Sequence, residues 1–294
     1  MDAATPKPWI DALQWVMTQP GLLQGLPGGS SPLLTVDDPR LVSLIEHTKN
    51  NSEEFISRIK KPQHHKIGIV FETLLEWGLE VAMGRKCIAR DIQVRENKRT
   101  IGALDLILAA PSGGHEHWEL AFKIYLQSDD NVQWASWLGP MRRDRLDKKV
   151  RRMLEHQLPL STTPAGQQVL KTLGVGSISQ HRIILQGILF SPWGKPSQPA
   201  FKANLPPQGR WLRPSQVPCL IQQRKNSRWV LRKRPLWFGP WSGDSHLADD
   251  DFHQQAGSHD IDRAQLWNRL ACTKHPKEEQ FIIVPEEWGS GVSA

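Results

Sequence analysis

Three apolar segments follow one another between residues 87 and 126, separated only by short turns. The segments run from Cys87 to Arg95, from Thr100 to Ala109 and from His117 to Leu126. The second turn contains Pro111-Ser112-Gly113-Gly114, a composition that favours tight reversal of the chain. Because connections this short can join only antiparallel neighbours, the sequence predicts a three-stranded antiparallel meander.

Helical patterns flank the meander on both sides. Residues Lys66 to Met83 carry an apolar stripe at helical spacing that ends at Gly84. Residues Arg142 to Leu158 form a second amphipathic pattern, and His181 to Phe190 then resembles a buried strand. A helical crossover allows this last strand to lie parallel to the third. The predicted order is helix, three strands, helix, strand, in an α/β architecture.

The remaining chain divides into an N-terminal and a C-terminal part. Residues 1–63 are expected to form helices, Pro8 to Leu23 and Arg40 to Lys60, that pack on a core spanning residues 64–191. Asn50, Asn51 and Ser52 are expected to interrupt the second helix. Residues 192–294 form an extension of unclear fold, because their pattern is weak. Within it we predict a strand at Ser227 to Arg234, a helix at Asp260 to Leu270 and a strand at Gln280 to Val284.

Composition narrows the class of protein. Lys and Arg exceed Asp and Glu by 37 to 30, so a nucleic-acid partner is compatible with the net charge of +7. Three cysteines without a CxxC pair suggest neither a disulfide framework nor a zinc site, and a cytoplasmic location is expected. No apolar run approaches the length of a membrane span, so no membrane association is expected. We expect no small-molecule cofactor, and the oligomeric state is left open.

Charged residues inside the second and third predicted strands carry the chemistry. Asp105 lies in the Leu- and Ile-rich second strand, and Glu119 and Lys123 lie in the third. Alternation places Glu119, Ala121 and Lys123 on one face of that strand. An unpaired buried carboxylate is unfavourable, so these groups need a cation, a hydrogen-bond donor or an open cleft. They either neutralise one another as a structural charge cluster or hold a metal ion.

The element order together with Asp105, Glu119 and Lys123 resembles the PD-(D/E)XK nuclease superfamily, over residues 64–190. The resemblance implies a restriction-endonuclease-like core and a Mg²⁺ or Mn²⁺ ion held by Asp105 and a second carboxylate. It also implies that Lys123 orients or deprotonates the attacking water, and that Glu72 is an accessory acid on the preceding helix.

One position departs from the superfamily pattern. The second carboxylate normally lies two residues before the lysine, where this chain has Ala121. Glu119 lies four residues before Lys123, about 13 Å along a strand instead of about 7 Å. Either a bulge restores the geometry, or Glu72 replaces the missing ligand, or the site is degenerate.

Longer phrases are similar to those of one uncharacterised bacterial family, domain of unknown function eighteen fifty-three. These sequence segments are HWELAFKIYL, GPMRRDRLDKKVRRMLEHQLPLS, LQGILF and FIIVPEEW, and they span most of the chain. The resemblance implies a nuclease-like fold without a settled substrate.

The sequence therefore predicts two alternative functions. The first is a divalent-metal-dependent nuclease acting on DNA or RNA; the alternative is a catalytically degenerate module that binds nucleic acid or a protein. Both could use a basic helix face following the candidate site, although such a face is commonly only a solvated surface. Its proposed nucleic-acid-binding residues are Arg142, Arg143, Lys148 and Arg152.

Overall fold

The computed structural model describes residues 6–60, 66–239, 246–258, 262–271 and 277–289. The described part of the chain is a mixed α/β structure with eight α-helices and a single nine-stranded sheet. The helices are α1 (Lys7–Thr18), α2 (Pro39–Asn50), α3 (Ser52–Ile59), α4 (Ile67–Met83), α5 (Leu146–Arg152), α6 (Pro164–Thr172), α7 (Val217–Gln223) and α8 (Asp249–Ala256).

The strands follow the order β1-β2-β3-β5-β6-β9-β8-β7 across the sheet, with the short β4 paired to β3. The strands are β1 (Cys87–Glu96), β2 (Arg99–Ala109), β3 (His115–Gln127), β4 (Trp137–Leu138), β5 (Ile178–Pro192), β6 (Gly209–Leu212), β7 (Trp229–Arg232), β8 (Gln265–Arg269) and β9 (Glu279–Ile283).

The predicted meander and its parallel neighbour are confirmed. Strands β1, β2 and β3 pair antiparallel in chain order. Strand β5 returns parallel to β3, with Ala121 opposite Leu185 and Lys123 opposite Gly187. The predicted order of helix, three strands, crossover and strand is therefore present.

The crossover differs from the single helix predicted over Arg142 to Leu158. Residues 139–144 form a turn in which Arg142 has a φ of 58°, so α5 begins only at Leu146. A π-helical turn, Met153–Gln157, and a 3₁₀ turn, Leu158–Thr162, follow. Pro159 has no backbone N–H to continue an α-helical ladder. Arg142 and Arg143 consequently lie in a loop.

The N-terminal helices pack on α4 and share one apolar cluster with β3. Leu13, Leu44 and Phe55, from three different helices, lie in that cluster with Phe71 of α4. The break predicted near residue 50 is confirmed, because α2 ends at Asn50 and α3 begins at Ser52. No helix in the described ranges has both the length and the apolar composition to cross a membrane.

The C-terminal residues extend the same sheet. The predicted strands near residues 230 and 282 are confirmed as β7 and β9. The helix predicted over Asp260 to Leu270 is wrong, because Gln265–Arg269 forms β8 between β7 and β9. Leu266, Trp267, Asn268 and Arg269 are all buried, so this central strand lacks the alternation that identifies a strand.

Candidate functional site

The candidate site lies where β2 and β3 separate. Their ladder ends at the pair Leu106 and Trp118, one residue before Asp105 would face Glu119. The Oδ2 atom of Asp105 instead accepts a hydrogen bond from the backbone N–H of Leu120 at 2.8 Å. Leu104 and Ile107 belong to one apolar cluster although they lie three residues apart, so strand alternation is interrupted at Asp105. This interruption turns the Asp105 carboxyl group into the gap.

A cleft of about 180 Å³ opens beside Asp105 and is mainly acidic. Its carboxyl groups are those of Glu72 and Glu76 on α4, Asp91 on β1 and Asp105, with Arg90 at the rim. Asp91 has a φ of 47°, an unusual conformation for a residue inside a strand. Its neighbours Arg90 and Ile92 pair with Leu106 and Leu104, so Asp91 lies directly opposite Asp105. The left-handed conformation is therefore adopted at the site itself.

Burial and mutual repulsion keep protons on these carboxyl groups. Burial is the largest cause that raises the pKa of Asp105 to about 7, and the charge of the contacting Glu119 carboxyl group is the second. Burial also raises the pKa of Glu119 to about 7, against hydrogen bonding with Asp105. The pKa of Glu72 is raised to about 7 by burial and then by Asp105 and Asp91. The three groups therefore form a site that accepts positive charge near neutral pH.

Glu119 lies behind Asp105 and is fully buried. One of its carboxyl oxygens is 2.8 Å from Nε2 of His117, and the other accepts from the Gln157 side-chain amide at 2.7 Å. Burial lowers the pKa of His117 to about 4, so its imidazole is neutral at pH 7. Both oxygens of Glu119 are thus engaged by the protein interior, and Asp105 is the member of the pair that lines the cleft.

The contacts of His117 continue through Ser161 to His181 on β5. Its Nδ1 atom lies 3.2 Å from the hydroxyl of Ser161, which in turn lies 2.8 Å from Nε2 of His181. A neutral imidazole donates from one ring nitrogen and accepts at the other, so both ring nitrogens of His117 have a partner. These side-chain contacts fix the orientation of the Glu119 carboxyl group.

Lys149 of α5 is the cation beside the carboxyl pair. Its Nζ atom donates to Oε1 of Gln157 at 3.1 Å, and Gln157 also holds Glu119. Burial and then the charge of Lys123 lower the pKa of Lys149, whereas Asp105 and Glu119 raise it. Lys149 is not among the basic residues that the sequence predicted to contact phosphate. Its helical spacing from Leu146 and Met153, both buried, would have placed it on the inner side.

The structure places Lys123 away from the carboxyl pair. Its Nζ atom lies 2.5 Å from Oδ2 of Asp144, and it lines a second cleft. Ala121, at the position expected to hold a carboxylate, is buried in the apolar cluster that packs against α5. Of the residues predicted from the sequence, Asp105, Glu119 and Glu72 thus come together, and Lys123 does not join them. Asp91 was missed, because nothing in the sequence indicates its unusual φ.

The four basic residues predicted to contact phosphate are all exposed. Arg142 and Arg143 lie in the turn before α5, and Lys148 and Arg152 lie one helical turn apart on α5. The described residues therefore present these charges to solvent on the crossover that also carries Lys149.

Among the residues that the structure describes, no group of three or more His, Cys, Asp or Glu side chains is arranged to hold a metal ion. Mg²⁺, however, commonly uses only one or two carboxylates and completes its coordination with water and substrate phosphates. Asp105 and Glu72 are oxygen donors of the required kind on one cleft, and the proton that each retains is one that a cation would displace. The two carboxyl groups are therefore donors of the chemical kind that a hydrated divalent ion uses.

Comparison with family descriptions gives one match: the family described as Domain of unknown function (DUF1853) matches residues 11–283. The prediction of an uncharacterised family of this kind is confirmed. Neither the curated proteins nor the solved structures gave a match.

Proposed function

The chain belongs to the DUF1853 family, and we propose that it is a divalent-metal-dependent nuclease that hydrolyses phosphodiester bonds in DNA or RNA. One observation carries the proposal: the carboxyl groups of Asp105 and Glu119 contact each other where β2 and β3 separate, with Lys149 beside them. A restriction-endonuclease-like core is part of the same proposal. The order α4, β1, β2, β3, crossover and β5, with β5 parallel to β3, supports it.

In this proposal Asp105 and Glu72 hold Mg²⁺ or Mn²⁺ at the acidic cleft. The ion would supply an activated water and neutralise charge on the phosphate. Glu119 acts through Asp105, because its own oxygens are engaged by His117 and Gln157. Asp105 is further aligned by the backbone N–H of Leu120.

Lys149 is the preferred candidate for the lysine of the site. The charges of Asp105 and Glu119 both raise the pKa of Lys149, whereas Lys123 forms an ion pair with Asp144. A partly buried ammonium group beside the carboxyl pair would bind a phosphate oxygen and stabilise the charge that develops there. The catalytic role first assigned to Lys123 remains the competing assignment.

A second candidate function is a nuclease-like module that binds nucleic acid without cutting it. Two observations favour it: Ala121 replaces the expected carboxylate, and Glu119 has no exposed oxygen. The exposed Arg143, Lys148 and Arg152 would then contact phosphates, so binding would weaken with salt and would not depend on Asp105.

The test compares variants under one set of conditions. Purified protein is incubated with mixed single- and double-stranded DNA and RNA, with Mn²⁺ or with EDTA. The variants are Asp105→Asn, Lys149→Met and Lys123→Met, and Asp37→Asn, at an exposed aspartate, is the matched control. We expect Mn²⁺-dependent cleavage by the wild type and the control, and loss of about 10²-fold or more for Asp105→Asn and Lys149→Met.

Each contrary outcome has a defined meaning. Cleavage that Asp105→Asn leaves unchanged overturns the metal-nuclease proposal. Binding without cleavage, unaffected by Asp105→Asn but weakened by reversing the charges of Arg143, Lys148 and Arg152, supports the binding module. If only Lys123→Met removes activity, the lysine assignment passes from Lys149 to Lys123.

A further inference from the structure

A second cleft, of about 230 Å³, opens beside the later half of β3. Its walls are largely apolar and include Phe122 and Ile124 of β3 and Trp237 from the C-terminal extension. Met141, in the turn before α5, also lines the cleft and is 50% exposed. An apolar side chain this exposed beside an apolar cavity provides a contact surface for a ligand.

The charges around this second cleft are mostly positive. Lys123, Arg143 and Arg234 line it together with one carboxylate, Asp144. Lys123 pairs with Asp144, whereas Arg143 and Arg234 form no ion pair with any described residue. The guanidinium of Arg234 lies 4.4 Å from the ring centre of Trp237, so the indole fixes its orientation. Two guanidinium groups that have no carboxylate partner within the described part of the chain favour an anion, and their planar donors match a phosphate group.

The size of the second cleft limits its ligand. Pockets that take drug-sized molecules usually measure roughly 300–1,000 Å³, so about 230 Å³ admits only one small ring system. An apolar cavity with guanidinium groups at its edge therefore suits a planar ring attached to a phosphate. A nucleotide has both features.

We infer that the second cleft receives one unpaired nucleobase, with the adjoining phosphates bound by Arg143 and Arg234, so that the substrate is single-stranded nucleic acid. The inference rests on the proposed nuclease function, since it names the form of nucleic acid that reaches the acidic cleft. Strand β3 connects the two clefts: Leu120 lines the acidic cleft and Phe122, two residues and about 7 Å further along the strand, lines the second. A single strand of a few nucleotides spans that length. A base in a duplex cannot enter, because its edge and faces are already occupied.

The test measures binding rather than cleavage. Fluorescence anisotropy in EDTA compares a labelled single-stranded oligonucleotide with its own duplex, at one salt concentration. The main variant, Met141→Lys, adds a positive charge but removes apolar surface from the cleft. Leu173→Lys, at a leucine that is 44% exposed and lines neither cleft, is the matched control. Arg143→Ala is compared with Lys171→Ala, which lines neither cleft.

We expect the wild type to bind the single strand at least about fivefold more tightly than the duplex, the lower end of one base stacked on an aromatic or apolar surface. Met141→Lys should reduce this ratio toward one although its charge is more positive, and Leu173→Lys should not. Arg143→Ala should weaken single-strand binding more than Lys171→Ala. Equal affinity of the wild type for both forms, or tighter single-strand binding by Met141→Lys, would overturn the inference.

The cleavage assay separates this inference from the nuclease proposal. If the wild type prefers the single strand but cleaves no nucleic acid, the inference about the second cleft stands and the nuclease proposal is wrong. If cleavage depends on Asp105 but the protein shows no preference for single strands, the nuclease proposal stands and the inference about the second cleft is wrong.

Discussion

Replacing Asp105 by Asn should stabilise the fold, and increasingly so as the pH rises. The pKa of Asp105 is about 7 in the folded protein and near 3.8 in an unfolded chain, so the folded state binds more protons between those values. Wild-type stability is therefore lost as the pH rises through that window. The difference between 3.8 and about 7 corresponds to about 4 kcal/mol at full ionisation, of which about 2 to 3 kcal/mol accrues between pH 5 and pH 8.

The Asn side chain preserves the geometry without the charge. Its oxygen can still accept from the Leu120 N–H, and its amide can donate to the Glu119 carboxylate, whose pKa then falls. His117 has the opposite effect on stability: its pKa is lowered to about 4, so the folded state gains stability as the pH rises toward 6.5. Since His117 and Lys149 are present in both proteins, their contributions largely cancel in the difference between variant and wild type.

Urea unfolding followed by tryptophan fluorescence at pH 5 and pH 8 measures this difference. The unfolding free energy of Asp105→Asn minus that of the wild type should be about 2 to 3 kcal/mol more favourable at pH 8 than at pH 5. Asp37→Asn, at an exposed aspartate, is measured beside it as the matched control. A difference that is independent of pH, or one that favours the wild type more at pH 8, would refute the view that burial and the charge of Glu119 oppose the ionisation of Asp105. Added Mn²⁺ should reduce the excess unfolding free energy of Asp105→Asn at pH 8. Only the wild type retains the carboxylate of residue 105 that would bind the ion.

Three further predictions concern packing, each measured by urea unfolding. Gly187→Ala should lose about 1–3 kcal/mol or more, because its Cβ would collide with the Lys123 carbonyl across the β3–β5 pair. Glu116→Ala should lose about 3–5 kcal/mol, because it leaves Arg85, 2.9 Å away and almost fully buried, without its partner; an unchanged free energy would show that the pair is solvated. Phe252→Ala should lose about 3–5 kcal/mol, because the ring stacks on Trp229 with centres 3.9 Å apart.

The core elements were predictable because their sequence signals are local. The stripe of α4 and the short turns of the meander need no knowledge of distant residues, and both were confirmed. Strand β8 was not predictable in this way, since burial on both faces removes its alternation. The start of α5 was misplaced because the turn at Arg142 depends on a left-handed backbone that basic residues rarely adopt.

The candidate site shows the same division. Asp105 and Glu119 were identified because a carboxylate in an apolar strand is unusual wherever the chain folds. Whether they meet depends on the separation of β2 from β3, and that separation follows from the interruption at Asp105 and the unusual φ of Asp91. In the proposed site Lys149 takes the position expected for Lys123, because Leu146 and Val150 pack α5 against the apolar cluster that contains Ala121. Strand spacing alone contains no information about that helix.

The acidic cleft also opposes folding, and this opposition is an argument for a ligand. Three carboxyl groups with raised pKa values destabilise the native state near and above pH 7, and a left-handed Asp91 adds about 1–3 kcal/mol. The neighbouring apolar packing does not require the charge of Asp105, because Asn at this position would preserve the same hydrogen bond. A bound cation would offset the repulsion and would give the cluster a role that packing does not. If Asp105→Asn is both more stable at pH 8 and inactive, stability and activity are opposed at this residue. If it is more stable and fully active, the cluster has no part in the chemistry and the binding module becomes the better account.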